Sequence, residues 1–214
     1  MRVTVFGATG MVGKRIVQLA LHKGIEVVAF GRNVETLIDA DNRNKLLTAQ
    51  KGYIFDAKDV AKSIKGSHIV FSVLGGAFDG SDKTRSLGIK NIIGQMEATD
   101  IKRIVALGGL GVLNATDDHL LIEAEGYPEE YKPVGMEHLQ AFRLLESSSL
   151  DWSFFCPPNI IDADETGLYR TSINFPPEPN TYKINAGDLA MAMLDTGLKG
   201  DFIKERVGIC SKSD

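Results

Sequence analysis

The chain has 214 residues, 43% of them hydrophobic and 24% charged, with a formal net charge of -4; this composition suits a globular protein that buries a large core as one domain. Its 24 lysines and arginines are dispersed rather than blocked together, which argues against nucleic acid or an anionic membrane as partner, and no apolar run reaches the roughly 18 residues of a membrane span. Cys156 and Cys210 lie far apart with no metal-like spacing to the four histidines, so free thiols in a reducing cytoplasm are expected, with Cys156 a small core hydrophobe and no metal site.

The first element is the β-rich run Val3 to Phe6, which stops at glycine. After Gly10, Val12, Ile16, Leu19 and Ala20 recur at helical spacing until Gly24, which predicts strand, turn and helix. The sequence opens so directly on this unit that no room is left for a secretory leader. Glu26 to Phe30 is the next strand, and "NVETLIDA" begins a short helix with Asn33 as its cap. "GYIF" (52–55) is expected as a third strand, "DVAKSIKG" as a helix, "HIVFSVLGG" as a fourth strand, "TRSLGIKNIIGQMEATD" as a helix and "RIVALGG" as a fifth strand. A helix from about Val134 to Ser147, a strand "DWSFFC", a helix "NAGDLAMAMLDTGLKG" and a closing strand "RVGIC" complete the series.

Strands alternating with helices imply right-handed parallel crossovers, hence an α/β, Rossmann-like doubly wound parallel sheet with helices on both faces. Residues 1–214 read as a single domain with a small C-terminal substrate region. Two segments, about 110–133 and 157–184, break the rhythm and are expected to be irregular, forming a lid over a site.

Gly7, Gly10 and Gly13 give the spacing G-x-x-G-x-x-G between a strand and a helix, the context in which a glycine turn brings backbone amides against a pyrophosphate. Carboxylates after the second strand would hold a ribose, whereas arginine suits a 2′-phosphate. Here Gly31-Arg32-Asn33 stands at that place with no carboxylate before Glu35, which favours NADP(H) over NAD(H). In an open parallel sheet the residues after each strand converge on one edge. Asp56, Val73 to Gly76, Leu107, Gly108 and Pro157 to Asn159 therefore surround the same cleft; Asp56 either accepts from an adenine amino group or caps the following helix.

The glycine motif, the Gly-Arg pair, "SVLGG" and "FFCPPNI" together resemble the atypical short-chain dehydrogenase/reductases, and within them the NmrA-like, NAD(P)H-binding branch that includes flavin and biliverdin-IX-beta reductases. The similarity covers nearly the whole chain. It implies a pyrophosphate loop of Gly7, Thr9, Gly10, Met11 and Val12, a 2′-phosphate contact at Arg32 and an adenine contact at Asp56. Leu74, Gly75 and Gly76 would meet the central ribose, and Pro157, Pro158, Asn159 and Ile160 would flank the nicotinamide.

The chain also departs from that pattern. The serine expected after the fifth strand is replaced by Gly108 or Gly109, a Tyr-x-x-x-Lys pair is missing because Tyr127 and Tyr131 are followed at that spacing by Tyr131 and Gly135, and the branch's histidine is replaced by Asn159. His138 and Tyr131 are the candidate catalytic residues, although His138 shares a face with Ala141, Phe142 and Leu145, which favours a core or cap histidine. His22, His68 and His119 read as structural or solvated, and Asp162, Asp164 and Glu165 as a solvated acidic loop. The reading is an NADP(H)-dependent oxidoreductase that passes hydride to a small planar acceptor such as a flavin or quinone. The alternative is an NAD(P)-binding redox sensor with a protein partner. A monomer and a homodimer are both compatible with the sequence.

Overall fold

The computed structural model describes residues 1–37 and 45–212. Five strands run through its first half: β1 (Arg2–Phe6), β2 (Glu26–Gly31), β3 (Leu47–Lys51), β4 (Ile69–Ser72) and β5 (Arg103–Leu107). Five more follow: β6 (Asp151–Cys156), β7 (Asn159–Ile161), β8 (Tyr169–Ile173), β9 (Lys183–Asn185) and β10 (Glu205–Ser211). The helices are α1 (Met11–His22), α2 (Ala57–Ile64), α3 (Thr84–Glu97), α4 (Lys132–Glu146) and α5 (Ala186–Lys199). The main sheet has the order β3-β2-β1-β4-β5-β6-β10-β8, parallel throughout except for β8, which runs antiparallel to β10. This is the Rossmann-like doubly wound sheet expected from the alternation of elements.

Because a parallel sheet is covered on both faces, its strands need apolar side chains in both directions. Val3 and Val5 of β1 point to a core shared with Ile16 of α1 and Leu189 and Met193 of α5. Phe6, on the other face, packs with Phe30, Ile64 of α2, Ile92 of α3 and Leu139 of α4, and each such ring or branched side chain contributes about 1.5–3 kcal/mol by leaving water. Thr4 is the polar exception among the buried residues of β1, and its hydroxyl donates to the Ser63 carbonyl at 2.7 Å. Cys156 and Cys210 are both buried and free, and burial raises the Cys156 thiol pKa, as suits a core residue.

Three sequence expectations need correction. Residues 52–55 are not a strand; β3 is the preceding stretch, Leu47–Lys51, an edge strand that pairs, among the described strands, with β2 alone. A half-exposed edge needs no strong apolar pattern, which is why "LTAQK" passes unnoticed. Segment 157–184 contains β7 and β8 and the start of β9, and β8 with its "YRTSI" sequence is again an edge strand. Its acidic turn is exposed, as expected, and the Arg15 guanidinium pairs with Asp162 at 2.9 Å and Asp164 at 3.4 Å. The buried Asp188 carboxylate accepts from the amides of Thr166 and Gly167, each at 2.7 Å, so this segment is tied to α1 and α5 as a wall. Segment 110–133 holds three short 3-10 turns, at Leu110–Val112, Leu121–Glu123 and Glu129–Tyr131. Of "NVETLIDA", Val34–Leu37 is a 3-10 turn, and the remainder of that helix lies outside the described residues.

Candidate functional site

A cavity of about 1240 Å³ runs along the C-terminal edge of the sheet, larger than the roughly 300–1,000 Å³ usual for one small ligand. Its walls come from the ends of β1, β2, β4, β5 and β6, from the start of α3, from α4 and from the 3-10 segment.

One half is built by the first glycine turn. Gly7 has φ +81°, and a Cβ there would sit 2.4 Å from the Val73 carbonyl oxygen, so only glycine lets β1 and β4 end this close together. A Cβ on Gly13 would lie 2.1 Å from the Gly7 oxygen, which makes Gly13 the residue that seats α1 against the turn. It does not face the cavity, whereas Gly7, Thr9, Gly10, Met11 and Val12 do. Helix α1 begins without a side-chain cap and without an acidic residue in its first turn. Its first amides are thus open to an external anion, and the helix dipole favours one there.

Beyond this turn the cavity passes Arg32, which is exposed and makes no ion pair among the described residues. Glu35, the first carboxylate after β2, pairs with Lys51 at 3.7 Å and is not part of the wall. Gly52, Tyr53, Ile54 and Phe55 line this end. Asp56 does not; its carboxylate accepts from the amides of Lys58 and Asp59 at 2.8 and 3.2 Å, so it is engaged as the cap of α2. The turn holding Tyr53 was missed in the sequence because its apolar residues face a cleft rather than a core.

The other half is lined by Leu107, Gly108, Gly109, Pro157, Pro158, Asn159 and Ile160, by Tyr127, Tyr131 and His138, and by Arg85 and Phe78. A Cβ on Gly108 would enter the Phe154 ring at 2.2 Å, and one on Gly109 would lie 2.8 Å from His138 Cδ2. The place where related enzymes carry a serine is therefore occupied by two packed rings. The Nδ1 of His138 is buried without a hydrogen-bond partner among the described residues, and its Cδ2–Nε2 edge lies over Gly109. Burial, followed by the charge of Arg85, pushes the imidazole pKa down to about 3, so His138 is neutral at physiological pH. Tyr131 is exposed at the rim. The Tyr127 hydroxyl is wedged against Gly111 and Gly135, and burial holds its pKa above the usual value.

The remaining histidines do not converge on the cavity. His68 Nδ1 accepts the Arg2 amide at 3.2 Å, His22 ends α1, and His119 is exposed. No group of three His, Cys, Asp or Glu side chains able to hold a metal ion occurs among the described residues, and no helix among them is long and apolar enough to cross a membrane.

A strand-turn-helix of this shape at the head of a 3-2-1-4-5-6 parallel sheet defines a Rossmann-type dinucleotide-binding protein. The NAD(P)H-binding family matches residues 7–196. The chain belongs to that family, in keeping with its resemblance to the atypical short-chain dehydrogenase/reductases. A solved structure from Streptococcus pneumoniae TIGR4, described as a proposed NADH-flavin reductase, superimposes with a TM-score of 0.83 at 25% identity, covering 99% of this chain and 100% of that one. A proposed exported protein from Burkholderia pseudomallei gives 0.83 at 29% identity over 98% and 99% of the two chains. Bacillus subtilis (strain 168) YwnB, an uncharacterized protein, is 23% identical over 222 residues and the full length of both.

Proposed function

We propose that the protein is an NADP(H)-dependent reductase that passes hydride to a planar acceptor such as a flavin or quinone bound in the same cavity. The observation that carries this reading is the cavity's size together with its two unlike halves: one holding the Gly7–Gly10 turn and the open amides of α1, the other Gly108, Gly109, His138, Tyr127 and Tyr131. NADPH, when bound, supplies two electrons and a proton as hydride.

The chain's own residues supply position and environment. The amides opening α1 would hold the pyrophosphate, and Arg32 would take the 2′-phosphate, since a guanidinium fork matches phosphate oxygens. Leu74 to Gly76 would follow the ribose, and Pro157 to Ile160 would back the nicotinamide. Gly108 and Gly109, lacking side chains, make room for the Phe154 and His138 rings, so that His138 borders the acceptor's place. Hydride transfer requires close, aligned partners more than an acid, and a reduced flavin or quinone can take its second proton from solvent. Neutral His138 fits a hydrogen-bond donor toward the acceptor rather than a proton source, and Tyr131 fits a cover for the ring.

The test is NADPH oxidation with flavin and quinone acceptors. Turnover with such an acceptor and none with simple aliphatic ketones, which need an acid, is expected. Tight NADPH binding with no turnover on any acceptor would instead assign the protein to redox sensing.

A further inference from the structure

Arg85 lies at the second position of α3, only 8% exposed, and it lines the cavity. Its guanidinium donates to the Gly76 carbonyl at 2.9 Å and the Ala77 carbonyl at 3.0 Å. A guanidinium has five N–H donors, so several remain. Among the described residues no carboxylate lies within ion-pair distance of it. Two nearby acids, Asp82 and Glu137, act on its charge from beyond ion-pair distance, while their own hydrogen bonds go elsewhere: Asp82 accepts the Thr84 amide at 2.7 Å, and Glu137 takes Lys83 Nζ at 3.0 Å and the Ser86 hydroxyl at 2.8 Å. A buried cation without a contacting anion is costly; here the charge opens on a cavity.

The position of that charge separates it from the cofactor's phosphates. The Ser86–Glu137 bond joins the residue after Arg85 to the residue before His138, so Arg85 and His138 flank one clamp between α3 and α4. His138 in turn covers Gly109. The exposed ring of Phe78 lies 5.9 Å from the guanidinium, which places a flat apolar surface beside the charge. Arg32 and the head of α1 already provide for the cofactor's own phosphates.

We propose that Arg85 is an anion anchor for the acceptor, so that the ligand drawn into this half is a planar ring with a phosphate or carboxylate on a short tail, as in flavin mononucleotide. This rests on the reductase reading for the ring and on Arg85 alone for the tail. Phosphate and carboxylate share the paired oxygens that a guanidinium recognises.

The protein saturated with NADP⁺ is titrated with flavin mononucleotide and with riboflavin, which lacks the phosphate, following flavin fluorescence. Flavin mononucleotide should bind about 10-fold tighter, a gap of roughly 1.4 kcal/mol, and added salt should narrow that gap. Arg85→Gln should bring the ratio close to one, and Arg85→Lys should leave an intermediate value. The salt series on the unmodified protein keeps the test independent of any disturbance of the 76–77 turn. Equal binding of the two flavins, a ratio that survives Arg85→Gln, or an equal loss of NADP⁺ affinity in that variant would each overturn the proposal. If neither flavin binds, a carboxylated quinone and its uncharged parent provide the second arm: an Arg85-dependent preference there keeps the anchor and removes the flavin reading, and no binding removes both.

Discussion

The two halves of the cavity are made by opposite means. Around Gly7 and Gly13 the site is built from backbone, with glycines so tightly placed that any Cβ would meet a carbonyl at 2.4 or 2.1 Å. Around Gly108 and Gly109 the glycines yield space to the rings of Phe154 and His138, which come from β6 and α4. In the first case glycine admits the protein's own backbone; in the second it admits the protein's own side chains. Identical residues in sequence thus carry different meanings, and only the packing partner tells them apart.

That contrast is broken most severely by Gly13→Val. The clash is with backbone that cannot rotate away, so NADPH affinity should fall about 100-fold or more, at least roughly 2.7 kcal/mol, or the protein should fail to fold. Cofactor titration beside thermal unfolding reads out both. Arg32→Ala is next: loss of charge-assisted bonds worth about 1.5–3 kcal/mol should lower the ratio of NADPH to NADH affinity about 10- to 100-fold. An unchanged ratio removes the 2′-phosphate assignment.

Much of the first half was legible because backbone geometry imposes its demands locally: Gly7, Gly10 and Gly13 and the strand before them lie within a dozen residues. The sheet was legible for the same reason, each central strand being apolar on both faces. The edge strands β3 and β8 were not, since water and a single neighbour ask little of their side chains. In the acceptor half, His138 was named but its partner was hidden, because Gly109 lies 29 positions away in the chain. Arg85 was missed altogether: "KTRSLG" reads as an ordinary helix start, and only the loop folded back over it shows that its charge is buried. Asp56 had two sequence readings, adenine contact and helix cap, and the geometry shows it capping α2.

A milder change sharpens the second half. Gly109→Ser introduces a serine at one of the two positions, Gly108 or Gly109, where the resemblance implies one, but should push the His138 ring out of place, costing about 1–3 kcal/mol and lowering Tm by roughly 2–4 °C for each kcal/mol in a chain of this size. The double variant Gly109→Ser, His138→Ala should recover part of that loss; a serine tolerated at no cost would mean that the ring does not hold this space.

A further effect expected is one of pH. His138 stays neutral in the folded protein down to about pH 3 but binds a proton near pH 6.5 once unfolded. The unfolded state therefore takes up more protons, and stability should decline as pH falls from about 6.5 toward 3. His138→Gln should flatten that slope in acid denaturation. Reductase rates between pH 6 and 9 should show no inflection from this imidazole.

The central claim is that one cavity holds reduced cofactor and acceptor face to face. It is tested most directly by mixing the protein–NADPH complex anaerobically with one equivalent of flavin and following both absorbances in a single turnover. Matched loss of NADPH and of oxidised flavin, faster than the protein-free reaction and slowed by deuterium at the transferred position, is the predicted result. NADPH that remains bound while the flavin keeps its colour would contradict it.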